Sequence, residues 1–175
     1  RSRQNFIFHV KIYQLTNDRK RPVQPGTFLR SLDDAGFRLL YLRRRNPVRH
    51  ALSNLVALKR GTYHKFDDRR EGITLSIDCP RFVERVRARI TYHEAELAAL
   101  SGLDYHEIVY EDDLKDVNSH QGTVAGVLDY LHLEGERQAS TRHRKVNTAS
   151  MRELVSNYDE FVECVTREGW ESFLD

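Results

Sequence analysis

The sequence predicts an α/β layer fold, a mostly parallel sheet flanked by helices, on three grounds. Short runs rich in β-branched and aromatic residues alternate with segments of helical period. Residues 37–42 (FRLLYL) are almost continuously apolar, as in a strand covered on both faces. That strand runs directly into Arg43-Arg44-Arg45 and then Asn46-Pro47, which opens a helix.

Residues 6–15 (FIFHVKIYQL) read as the first strand, followed by a polar loop over 16–26 that contains prolines. A short helix is expected from about residue 27 to 35, with Phe28, Leu29 and Leu32 inward and Gly36 as its stop. After Asn46, the residues Val48, Ala51, Leu52, Leu55 and Val56 fall on one helical stripe. Residues 59–71 have no period and read as a surface loop. Pro80 starts a long amphipathic helix whose buried face is expected to be Phe82, Val83, Val86, Ile90, Leu97 and Leu100, ended by Gly102. Residues 105–110 form another strand and 123–131 another helix. Ser150 and Glu153 match a capping box, and Met151, Leu154, Val155 and Tyr158 give the last helix its core stripe. Trp170 and Phe173 sit at helical spacing and are expected to pack at its end. No internal repeat or composition shift divides the chain, so residues 1–175 read as a single domain.

Composition narrows the function. Lys and Arg number 28 against 26 Asp and Glu, so the net charge is only +2. The cations cluster instead, at 19–21, 43–45 and 142–145. That pattern suits local anion sites better than a uniformly basic nucleic-acid surface, and no helix-turn-helix, aromatic RNA-binding or zinc signature is present. No apolar run approaches the ~18 residues of a membrane span. Cys79 and Cys164 are too few and too separated to suggest a disulfide framework or a zinc site, and a reducing, cytoplasmic compartment is the expectation. The eight histidines show no metal-ligand spacing. Glu111, Asp112 and Asp113 are expected to cap a turn and pair with nearby arginines, so no metal is predicted.

The corner at 43–47 carries the clearest chemistry. A helix start presents unpaired backbone N–H groups and the positive end of its dipole, which favours an anion. Asn46 suits the N-cap and Pro47 the first helical position. Arg45, Arg49 and Ser53 recur every four residues, which would stack them along one side of the helix start. A phosphate there would meet guanidinium forks and a hydroxyl.

These pieces together resemble the sulfotransferases that use 3′-phosphoadenosine 5′-phosphosulfate (PAPS), the bacterial and carbohydrate-directed branches in particular. Arg45-Asn46-Pro47 with Ser53 looks like that family's 3′-phosphate motif. Val109-Tyr110-Glu111-Asp112, a leucine and a helix ending LDYLHL look like its YEDL strand and following helix. Arg144-Lys145, leading into Asn147-Thr148-Ala149-Ser150 and Ser156-Asn157-Tyr158-Asp159-Glu160, looks like its C-terminal segment that closes over the nucleotide. The resemblance spans roughly residues 6–174 in order and implies a P-loop-type nucleotide-binding sheet. It implies PAPS as co-substrate, with Arg45, Ser53, Arg144 and Lys145 holding the 3′-phosphate. The acceptor it implies is a hydroxyl of a carbohydrate, glycolipid or small metabolite.

The family's strand, phosphate loop and helix for the 5′-phosphosulfate have no match upstream of Phe6. The chain starts at Arg1, and the expectation is that it is the C-terminal part of a longer enzyme. The alternative is a non-catalytic nucleotide- or anion-binding domain derived from that fold. Lys11-Ile12-Tyr13 lies where many relatives carry a lysine, a small residue and a histidine. His9 would share a strand face with Lys11 and Tyr13, which makes it the candidate base for the acceptor hydroxyl.

Overall fold

The computed structural model describes residues 6–61, 73–134 and 149–174. In order they form α1 (Ile12–Thr16), α2 (Pro25–Asp34), β1 (Leu39–Arg43), α3 (Pro47–Arg60), α4 (Cys79–Leu100), β2 (Tyr105–Val109), a π-helical turn (Tyr110–Leu114), a 3-10 turn (Val117–Ser119), α5 (His120–Tyr130), α6 (Met151–Leu154), α7 (Tyr158–Arg167) and a final 3-10 turn (Glu171–Phe173). The class is mixed helix and sheet. Among the described residues helices predominate, and the sheet consists of β1 and β2 running parallel.

The described residues group into two compact units, which no composition shift in the sequence marks: 6–40 with 91–105, and 41–90 with 106–174. In the first unit, residues 6–11 have no regular secondary structure, and the strand expected over 6–15 is not formed. The reason is burial. Ile12 and Leu15 are 9% and 4% exposed, and a spacing of three places both on one side of a helix but on opposite sides of a strand. Phe8 meets the edge of Phe37 at 5.7 Å between ring centroids, and Tyr13 lies 6.0 Å from Tyr92. Gly36, at φ +83°, closes α2 in the left-handed conformation, as expected of a helix stop.

The second unit holds the larger core. Val48, Ala51, Leu52 and Val56 of α3 meet Phe82 and Val86 of α4, Met151 and Leu154 of α6, and Phe161 and Val165 of α7. Phe82 and Phe161 pack edge to face at 5.3 Å. The predicted stripes of α3 and α4 hold, except that Leu97 is exposed. Trp170 and Phe173 pack against this core as expected.

One expected helix is broken. The Ser150–Glu153 capping box forms, but α6 ends at Leu154 and Val155 turns extended (φ −107°, ψ 116°). Val155 instead forms a parallel bridge with Leu75: the Leu75 N–H donates to the Leu154 carbonyl at 2.7 Å, and the Ser156 N–H donates to the Leu75 carbonyl at 2.9 Å. The Asn157 amide extends this pairing, since its Oδ1 accepts from Ile77 N–H at 2.8 Å and its Nδ2 donates to the Ile77 carbonyl at 2.9 Å. Backbone pairing with a distant segment outweighs the local helical period here.

The same pairing brings the start of α4 beside α7, and Cys79 is bonded to Cys164, Cα atoms 5.9 Å apart. The two cysteines, expected to be too few and too separated for a disulfide framework, thus form one disulfide. Separation along the chain does not measure distance in space. Closing a loop of 85 residues removes chain entropy worth about 4–5 kcal/mol from the unfolded state in the loop-closure model.

Reducing that disulfide, or replacing both cysteines with serine, should lower the unfolding free energy by about 2–5 kcal/mol. Urea melts with and without dithiothreitol check this, and coincident midpoints would refute it. A second prediction concerns pH. The Ser150 backbone N–H and hydroxyl hold the Glu153 carboxyl below its usual range. Its contribution is therefore complete above the ordinary glutamate value and is lost as pH falls through the lower, folded-state value. The acid side of a stability–pH curve should be shallower in Glu153→Gln than in the parent, and superimposable curves would rule this cap out as a contributor.

Candidate functional site

Because β1 and β2 lie side by side and run the same way, their C-terminal ends emerge together. Arg44, Arg45 and Asn46 follow one strand, and Tyr110, Glu111 and Asp112 follow the other. The two triplets interlock in register. Within the strands, Arg43 already grips Glu107 through two hydrogen bonds, Nε to Oε1 at 2.6 Å and Nη2 to Oε2 at 3.3 Å. The hydrogen bond and charge of Glu107 raise the Arg43 pKa against the cost of its burial. One step on, the Arg44 guanidinium lies 4.1 Å from the centre of the Tyr110 ring. Burial lowers the Arg44 pKa, and the nearby Tyr110 and Glu111 oppose the shift.

Glu111 then caps the corner itself. Its Oε2 accepts the Arg45 backbone N–H at 2.8 Å, and its Oε1 accepts that of Asn46 at 3.4 Å. The Arg45 side chain donates through Nη2 to Asp112 Oδ2. Asp113 turns back and accepts the Val109 N–H at 2.6 Å, and the Thr123 hydroxyl donates to the Asp113 carbonyl at 2.8 Å. The expectation that these carboxylates cap a turn and pair with arginines is thus met by Glu111 and Asp113 as caps and Asp112 as the ion-pair partner.

Helix α3 starts as its sequence requires. Asn46 is the N-cap, its Oδ1 accepting the Arg49 N–H at 2.8 Å, and Pro47 occupies the first position. Two longer ties fasten this end. Asn46 Nδ2 donates to the Phe173 carbonyl at 2.7 Å, and Arg49 Nη2 donates to the Ala149 carbonyl. No signal in the sequence points to either tie, since the partners lie 127 and 100 residues away.

Of the predicted site residues, Arg45 sits at this corner with an exposed side chain, 56% accessible. It precedes the N-cap, so it does not continue the helical stack of Arg49 and Ser53; the expected three-residue row is reduced to two. Ser53 is half-buried on α3. Arg144 and Lys145 lie outside the described residues. His9 is exposed and belongs to the other unit. It does not share a strand face with Lys11 and Tyr13, because Tyr13 lies in α1.

Chemically, the corner is a cationic side chain on a pinned backbone. Glu111 satisfies the backbone N–H groups of Arg45 and Asn46, and the exposed Arg45 guanidinium pairs with Asp112. Asn46→Ala removes both the cap and the tie to Phe173, and should cost about 1–2 kcal/mol of stability. Chemical denaturation of the variant checks this, and an unchanged midpoint would show that the corner does not depend on Asn46.

Comparison of the chain with protein-family models, with curated proteins and with solved structures found no match in any of the three.

Proposed function

We propose that this chain is the 3′-phosphate-binding part of a PAPS-dependent sulfotransferase of the P-loop type. The observation that carries the proposal is Arg45. Its guanidinium is exposed while its backbone is fixed by Glu111, at the start of the helix that carries Ser53. Exposed ion pairs contribute about 0–1 kcal/mol, so the bond to Asp112 is exchangeable. A charge-assisted contact to a dianionic phosphate is worth about 1.5–3 kcal/mol, enough to displace it. Ser53, half-buried on α3, supplies a hydroxyl donor from that helix.

PAPS, when bound, brings an activated sulfuryl group on a nucleotide leaving group. The acceptor hydroxyl attacks sulfur, the bond from sulfur to the phosphate oxygen breaks, and the hydroxyl proton passes to a base. Arg45, Ser53, Arg144 and Lys145 act only on the 3′-phosphate, holding and orienting the nucleotide. The acceptor class is a hydroxyl on a carbohydrate, glycolipid or small metabolite.

No described helix is long and apolar enough to cross a membrane. The Cys79–Cys164 bond favours an oxidising compartment over the cytoplasm expected from cysteine count. One observation favours a second function, a non-catalytic anion-binding domain. Glu111 already fills the backbone donors at the corner, so part of the seat for a ligand is taken by the protein itself.

Titration with 3′-phosphoadenosine 5′-phosphate should raise the melting temperature more than adenosine 5′-phosphate does, because binding to the folded state stabilises it by mass action. Arg45→Ala should weaken that binding about tenfold to a hundredfold. Ser53→Ala should reduce the preference for the 3′-phosphorylated nucleotide. Equal response to the two nucleotides in the parent protein would refute the assignment.

A further inference from the structure

We propose that the Tyr110–Asp112 turn is the protein's own anionic occupant of the phosphate corner, with Glu111 a fixed positioning residue and Asp112 an exchangeable competitor for Arg45. The proposal rests on the nucleotide-binding function above and adds a mode of regulation to that site.

The two neighbouring carboxylates stand in different physical situations. Glu111 bonds to backbone N–H groups of Arg45 and Asn46, which cannot rotate away. The turn that carries it is held on both flanks: Tyr110 stacks against Arg44, and Asp113 is tied to Val109 and Thr123. Removing Glu111 therefore frees the loop that aims Arg45. Asp112 bonds to the Arg45 side chain, and the two side chains are 51% and 56% accessible. Water and salt reach this pair, and each side chain can leave by bond rotation alone. A ligand phosphate and the Asp112 carboxylate compete for one guanidinium fork, so the apparent affinity for nucleotide falls by the factor with which the internal pair forms.

The two carboxylates should consequently have opposite effects. Asp112→Asn should tighten binding of 3′-phosphoadenosine 5′-phosphate about two- to fivefold and leave the melting temperature unchanged, as expected on losing an exposed pair. Glu111→Gln keeps one acceptor oxygen of two, and should both weaken nucleotide binding and lower the melting temperature. A uniform electrostatic effect would instead tighten binding in both variants, since each loses a negative charge near an anion site. Isothermal titration of the parent, Asp112→Asn, Glu111→Gln and Arg45→Ala proteins decides it, with Asp112→Ala as a second variant that must shift affinity in the same direction as Asp112→Asn.

Opposite signs for the two positions support the proposal. The same sign for both, or no change at Asp112, overturns it. If the parent prefers the 3′-phosphorylated nucleotide and Arg45→Ala abolishes the preference while Asp112→Asn changes nothing, the competitor is refuted and the phosphate site stands. If the parent shows no such preference, both fail together.

Discussion

The parallel pairing of β1 and β2 governs the arrangement of this chain around its candidate site. Parallel neighbours deliver their C-terminal ends to the same edge, so the segments leaving the two strands must accommodate each other. Three cationic or polar residues leave one strand, and an aromatic and two carboxylates leave the other. Their contacts run in step, separated by 64 residues at Arg43–Glu107 and 67 at Arg45–Asp112. An antiparallel arrangement of the same strands would send the arginines and the carboxylates to opposite ends. The start of α3 would then lose the Glu111 carboxylate that satisfies its approach.

That pairing also shapes the anion chemistry. A helix start flanked by arginines attracts negative charge, and here the nearest negative charge belongs to the protein. Glu111 serves the backbone and Asp112 serves the side chain. The backbone contribution is structural and stays in place, whereas the side-chain contribution is exposed and weak. In this arrangement the Arg45 backbone is bonded to Glu111 and its guanidinium is paired with Asp112. Asn46 and Arg49 add to the same fixation, since each fastens a carbonyl from the C-terminal part of the chain to the start of α3.

A second constraint acts within the core of the larger unit. The bridge between Leu75 and Val155, its continuation through the Asn157 amide, and the Cys79–Cys164 bond join two segments far apart in sequence. They close the core of Phe82, Phe161, Met151 and Leu154. They also fix where α7 ends, and therefore where Phe173 meets Asn46. The packing that stabilises the unit thus positions the corner, and a disulfide suited to oxidising surroundings is part of it.

Features under short-range control were legible in the chain alone. Asn46-Pro47 specified how α3 begins, Ser150 and Glu153 specified how α6 begins, and the apolar stripes of α3 and α4 specified most of the core, because caps and helical periods involve residues within one or two turns. Charge and composition also indicated that the acidic run from Glu111 to Asp113 would cap a turn and pair with arginine. Long-range contacts set the rest. Residues 6–15 satisfy strand preferences, yet burial of Ile12 and Leu15 selects α1. The stripe from Met151 to Tyr158 fits one helix, yet Leu75 draws Val155 into a bridge. Arg45 and Ser53 have the spacing of a shared site, but the residue that sits on the approach to that corner comes from another strand. Which carboxylate meets which guanidinium, and that Cys79 meets Cys164, depends on contacts between segments 64 to 85 residues apart, a distance over which local propensity carries no information.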